Sequence, residues 1–149
     1  MTFDEYFYKI CNVISEKSNC LYEKIGSILV RDNVIISTGY NGPPRGIPHC
    51  KDIHNECPLI LNKKFHLCPG AHSEINVIVH AARLGVQIKD SILYTNNQVP
   101  CGNCLIGIIN SGIEEVVCTK LTMYDFKTGF FMEHSDLKIR LYDFLNENK

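Results

Sequence analysis

An α/β layered fold is predicted for this chain by three observations. The chain opens on an amphipathic helix, two β-rich runs follow as a hairpin, and the middle then repeats an order of loop, helix and strand. In that repeat each helix starts on a possible metal ligand and stops at a glycine, so both helices are expected to begin at one edge of a sheet.

The elements follow in order. Thr2 and Glu5 have capping-box spacing, and Phe3, Tyr6, Phe7, Ile10, Val13 and Ile14 recur at helical intervals, so a helix is expected to run to about Ser18. Residues 25–30 and 34–38 read as two strands joined through Arg31, Asp32 and Asn33. Residues 41–70 hold five prolines, three glycines, three cysteines and three histidines without a clean period, which reads as a long loop. Ile75, Val79 and Ala82 share one face of a helix over 72–84 that Gly85 closes, and 91–95 reads as a strand. A second helix over 101–111 ends at Gly112, and 116–119 follows as a short strand. A last amphipathic helix is expected from Ser135, with Leu137, Ile139, Leu141, Phe144 and Leu145 on its apolar side.

At 149 residues and 45% apolar content, the chain has enough material for one domain with a continuous core and too little for two ordinary ones. Fifteen basic against sixteen acidic residues give a net charge of −1, which argues against a nucleic-acid polymer as partner and for a small substrate. Asp4, Glu5, Lys9, Glu16 and Lys17 interrupt the first eighteen residues, so neither a leader peptide nor a membrane segment is expected there, and the protein is expected in the cytoplasm. Eight cysteines in a reducing compartment point to metal ligands or small core residues more than to disulfides. Cys11 and Cys118 lie among apolar neighbours and read as core.

His72-Ser73-Glu74 opens the first central helix, and Pro100-Cys101-Gly102-Asn103-Cys104 opens the second. This H-x-E and P-C-x-x-C pair is the known pattern of zinc nucleobase deaminases. Cys101 and Cys104, three apart at a helix start, face the same way, and the positive helix end favours their thiolates. With His72 they make three protein ligands for a catalytic Zn2+, leaving the fourth position to water. Glu74 is close to the metal on a different azimuth, where it can carry protons without ligating. That chemistry puts water on C4 of cytosine while Glu74 passes a proton to N3 and then to the departing amino group. Each half-motif is weak alone. Both together, with Pro100 in place and 25 residues between Glu74 and Pro100, have a chance expectation on the order of 0.001. A redox pair or a purely structural zinc is the alternative for Cys101 and Cys104, and a dipole-complementing carboxylate is the alternative for Glu74.

Over most of its length the chain resembles the deoxycytidylate deaminases of the cytidine deaminase superfamily. Besides the zinc motifs, Gly39-Tyr40-Asn41-Gly42-Pro43-Pro44-Arg45-Gly46 is similar to that family's nucleotide-binding loop. The resemblance implies a three-layer α/β/α fold with a central mixed five-stranded sheet, and hydrolysis of dCMP to dUMP and ammonia in pyrimidine nucleotide metabolism. It implies Asn41 on the deoxyribose, dCTP and dTTP as effectors near Gly42 and Gly46, and a homo-oligomer, dimer or hexamer. Ser73 stands where the family most often has Ala, with its hydroxyl expected near the substrate. Many bacterial members carry Arg where this chain has Tyr22, which leaves Lys24, Arg45 and Tyr124 as candidates for the 5′-phosphate.

The loop suggests a second, structural zinc held by Cys20, Cys50, Cys57 and Cys68, with His49, His54 and His66 as substitutes. About 30 aperiodic residues are hard to order by burial, whereas a closed tetrahedral site can supply about 10 to 16 kcal/mol. Some members of the resembled family carry such a zinc, with ligands matching Cys20 and Cys50. Scattered thiols and solvent-facing histidines are the alternative. For function, the competing readings are a deaminase of another free cytosine nucleoside or nucleotide (dCTP, CMP, modified dCMP), a non-catalytic nucleotide-binding zinc module, and a polynucleotide-editing deaminase, which the charge balance disfavours.

Overall fold

Thr2 caps the first helix through its side chain, accepting the Glu5 N–H at 3.1 Å, and α1 runs over Phe3–Ser15. The computed structural model describes residues 1–123 and 125–144. After α1 come β1 (Gly26–Arg31) and β2 (Val34–Tyr40), turned by Asp32 and Asn33, whose φ angles of 52° and 62° are those of a two-residue hairpin turn. The loop holds one short helix, α2 (Cys50–Ile53), and a 3-10 turn at Phe65–Leu67. Then come α3 (Ser73–Leu84), β3 (Ile92–Thr95), α4 (Gly102–Asn110), β4 (Glu115–Cys118), α5 (Phe126–His134) and β5 (Lys138–Leu141).

The five strands form one mixed sheet in the order β2-β1-β3-β4-β5. β1 is antiparallel to β2 and β3, whereas β3, β4 and β5 are parallel. Alternation along β1 and β3 sends Leu29 and Leu93 to one face, where they meet Val77 of α3 and Cys104, Leu105 and Ile108 of α4. It sends Ile28, Val30 and Tyr94 to the other, where Phe7 and Cys11 of α1 cover them together with Tyr142. The result is the expected three-layer α/β/α arrangement. Each fully buried leucine of the first cluster contributes roughly 1.5 to 3 kcal/mol. Cys11 and Cys118 are core residues as read from the sequence, and burial pushes their thiols up to about 12 and about 11.

The expectation of a terminal helix from Ser135 is corrected. Ser135 ends α5, its hydroxyl donating to the Phe131 carbonyl at 2.6 Å, and Lys138–Leu141 is a strand parallel to β4. Leu137 and Ile139 pack on the α3/α4 side, while Arg140 and Tyr142 turn to the α1 side, a period of two. Phe144 follows the strand, and Leu145 lies outside the described residues. Among the described residues no helix is long and apolar enough to cross a membrane.

Candidate metal-centred active site

The site is built on two helix starts. His72 precedes α3 and Cys101 precedes α4, both in extended backbone, so their side chains turn toward each other at neighbouring helix N-termini. His72 Nδ1 is 3.3 Å from Cys104 Sγ and 3.5 Å from Cys101 Sγ. Zinc bonds of about 2.3 Å to sulfur and about 2.0 Å to nitrogen at a tetrahedral angle span about 3.5 Å from nitrogen to sulfur. The donor set therefore fits zinc in type and spacing. Among the described residues this is the one group of three such donors gathered within 4.8 Å of one another. It is graded in exposure, with His72 at the rim and Cys104 buried.

Electrostatics favour a charged sulfur here. The hydrogen bond to Cys104 and that to His72 hold the Cys101 thiol down at about 4, against the burial that opposes its charge. Cys104 is pushed upward by the same bond to Cys101 and by burial. The pair shares one negative charge when it carries protons alone, and a divalent cation removes that conflict. Glu74 is 3% exposed, and burial raises its carboxyl above the ordinary range against the pull of its own backbone N–H, His72 and Ser73. A buried carboxyl beside such a donor set is placed to exchange protons with a bound substrate.

The remaining candidates are placed as follows. Ser73 is fully buried, with its hydroxyl bonded to Ser27 and Glu74. Asn41 has its side-chain oxygen on the Ile25 N–H (2.9 Å) and its amide on the Glu23 carbonyl (2.8 Å), so it ties down the segment before β1. Gly42 bridges to Ala71 through two backbone hydrogen bonds, joining its loop to the residue before His72, and Gly46 has a φ of +82° that favours glycine. Lys24 is exposed on the segment Asn41 organises. Arg45 lines a groove of about 430 Å³ with His80 and Arg83 of α3. His80 is eight residues, about 12 Å of helix rise, beyond His72. Tyr124 lies outside the described residues.

Cys20, Cys57 and Cys68 are electrostatic neighbours of Cys50, whose thiol is raised first by burial and then by those three. Tyr22 stacks on Phe65 at 4.7 Å, bringing the Cys20 segment against the turn before Cys68.

Sequence reasoning missed Ser27, Asp125 and Thr128. Asp125 caps α5 by accepting the Thr128 N–H at 2.8 Å, and its other oxygen accepts the Gly102 N–H at 3.3 Å, fastening the α4 start. Asp125 three residues before Thr128 is a helix-start signal that the sequence did carry.

Residues 1–120 match the model of the cytidine and deoxycytidylate deaminase zinc-binding region, and the chain belongs to that family. It is 30% identical over 149 residues to the deoxycytidylate deaminase of Saccharomyces cerevisiae, covering 98% of this chain and 46% of the relative. To the deoxycytidylate deaminase of Mycobacterium phage D29 it is 31% identical over 128 residues, covering 79% of this chain and 94% of that one. The chain spans about half the length of the yeast relatives it matches. The dCMP deaminase of cyanophage S-TIM5, solved with dCMP and dUMP, has the same fold, with a TM-score of 0.73 at 24% identity over 95% of this chain and 98% of that one.

Proposed function

We propose that this protein hydrolyses dCMP to dUMP and ammonia, as one deaminase domain of pyrimidine nucleotide metabolism in the cytoplasm. The observation that carries this reading is the buried Glu74 carboxyl beside the His72, Cys101 and Cys104 donors. Deoxycytidylate deaminases among its relatives, and the dCMP and dUMP bound by the S-TIM5 enzyme, support the choice of substrate.

His72, Cys101 and Cys104 would hold the zinc. When bound there, zinc supplies a Lewis acid that lowers the pKa of water from about 15.7 to about 7. Glu74 receives the proton that water gives up as its oxygen bonds to C4 of cytosine. Its low exposure keeps that proton from bulk solvent, so it is handed to ring N3. Glu74 then takes the remaining proton from the new hydroxyl on C4 and delivers it to the amino nitrogen as the bond from C4 to that nitrogen breaks and the C4 oxygen becomes a carbonyl. Ammonia leaves, and the ring keeps the oxygen. Initial rates on cytidine, CMP, dCMP and dCTP test the reading: highest kcat/KM for dCMP is expected, and no turnover of any of the four by zinc-loaded protein refutes it.

A second zinc at Cys20, Cys50, Cys57 and Cys68 belongs to the same proposal. It is supported by Cys20, Cys57 and Cys68 lying within electrostatic range of Cys50 and by His49 Nδ1, buried without a hydrogen-bond partner beside Cys50. Freshly purified, reduced protein should carry two zinc ions per chain, and Cys50→Ala one; a single zinc in the parent sinks this part. Control by dCTP and dTTP in a homo-oligomer is supported by the Gly42 bridge to the His72 segment and by the groove that Arg45 and Arg83 line. Sedimentation of a monomer, with rates indifferent to both nucleotides, would remove it.

A further inference from the structure

Glu74 does not stand alone on the buried side of α3. Ser73 Oγ donates to Glu74 Oε2 at 3.1 Å, and Ser27 Oγ of β1 lies 2.6 Å from Ser73 Oγ. Both serines are 0% exposed. A hydroxyl carries one hydrogen, and Ser73 directs its own to the carboxylate, so Ser27 is the donor in the bond between the serines. The chain of donors runs one way, from the sheet to Glu74, and each bond polarises the next. Thr95 stands opposite Ser27 in the β1/β3 register and therefore on the same face, fully buried with an unpartnered hydroxyl. The floor beneath Glu74 is thus polar, set into an otherwise apolar core.

We propose that Ser73, supported by Ser27, is a positioning residue for Glu74: it pins Oε2 toward the sheet and leaves Oε1 as the oxygen that exchanges protons with substrate. Glu74 has two equivalent oxygens and rotatable side-chain bonds, and a proton carrier is effective only when one oxygen is held within reach of the reacting atoms. The helix start sets where the Glu74 backbone lies, and the Ser73 hydroxyl selects among side-chain rotamers. An alanine at position 73 would preserve the helix and the packing while removing the donor. This inference rests on Glu74 as proton carrier, so its test includes a readout that does not depend on turnover.

In zinc-loaded protein, Ser73→Ala should lower kcat on dCMP roughly 10- to 100-fold, the usual worth of a hydrogen bond to a charged group, with KM within twofold and zinc content unchanged. Ser27→Ala should lower kcat less, and the double variant should match Ser73→Ala alone, since Ser27 acts only through Ser73. A crystal structure of Ser73→Ala should show the Glu74 carboxylate rotated or in several positions. An unshifted carboxylate, an unchanged kcat, a loss of activity in step with loss of zinc, or additive effects in the double variant would each overturn the proposal. If the parent enzyme turns over no cytosine nucleotide, the function reading fails, and the carboxylate position in the two crystal structures still decides this one.

Discussion

Gly39 of β2 and Val77 of α3 touch backbone to backbone: a Cβ on Gly39 would stand 2.5 Å from the Val77 nitrogen and 2.9 Å from the Ser73 carbonyl oxygen. That approach seats the first turn of α3, with Ser73 and Glu74, against the sheet. Asn76 adds to it by donating to the Tyr40 carbonyl at 2.8 Å. Gly39→Ala must push α3 outward, because the obstructing atoms are backbone. It should cost about 1 to 3 kcal/mol in urea unfolding and most of the activity, with KM and kcat both affected. Unchanged stability and rate would show that α3 can shift freely.

Glu74→Gln keeps the size of the side chain and removes its proton-carrying capacity. It should retain one catalytic zinc, and turnover should fall about 10²- to 10⁴-fold. His72→Ala, Cys101→Ala and Cys104→Ala should instead lose metal and activity together, because two remaining donors do not hold zinc tightly. Zinc content measured beside kcat for the four variants separates the roles, and a fully active Glu74→Gln would end the mechanism.

Asp4 anchors a network across three elements. Its carboxylate meets the Arg140 guanidinium of β5 (Nη2 to Oδ1, 3.0 Å), the Asp143 N–H (2.9 Å) and the Tyr94 hydroxyl (3.3 Å). Burial alone would raise its pKa, but these partners outweigh it and hold the group below 3.8. Because the folded value is depressed, the stabilisation is full above the unfolded value near 3.8 and disappears as pH falls through the lower folded value. Asp4→Asn should therefore be about 2 kcal/mol less stable than the parent at pH 7. Urea melts from pH 7 to 2 should show that gap closing only below about pH 4. A gap of constant size would mean that the charge of Asp4 contributes nothing.

What was legible in the chain, and what was not, follows from the range of the forces involved. His72, Glu74, Cys101 and Cys104 were readable because local backbone at two helix starts orients them and zinc chemistry demands those residue types. The hairpin was readable from alternation and from the turn at Asp32 and Asn33. β5 was misread because Leu137, Leu141 and Leu145 repeat every four residues while Leu137, Ile139 and Leu141 repeat every two. Only the parallel partner β4, twenty-three residues earlier, breaks that tie. The hydrogen bond between Ser73 and Ser27 was not legible, because the two lie 46 positions apart. The partners of Asn41, at Glu23 and Ile25, and the placement of Arg45 beside α3 depend on the path of irregular segments, which no spacing rule encodes.

Asp125 links the turn that carries Cys101 and Cys104 to α5. One oxygen accepts the Thr128 N–H and the other the Gly102 N–H, and a Cβ on Gly102 would meet Lys127 Cβ at 2.3 Å and Asp125 Oδ1 at 2.9 Å. Lys127 closes the contact by donating to Asn103 Oδ1 at 3.0 Å. Burial opposes the charge of Asp125, yet the two backbone donors and Lys127 outweigh it and keep its carboxyl below the usual range, so the clamp is charged at neutral pH. Asp125→Ala removes a helix cap, worth about 1 kcal/mol, and also frees the backbone between Cys101 and Cys104. Groups that orient metal ligands are worth about 10- to 100-fold in metal affinity. Asp125→Ala should lie at the lower end of that range in competition with a chelator, and Asp125→Asn, which keeps an accepting oxygen, should recover most of the affinity. If Asp125→Ala loses only the 1 kcal/mol and binds zinc as tightly as the parent, the clamp serves α5 alone.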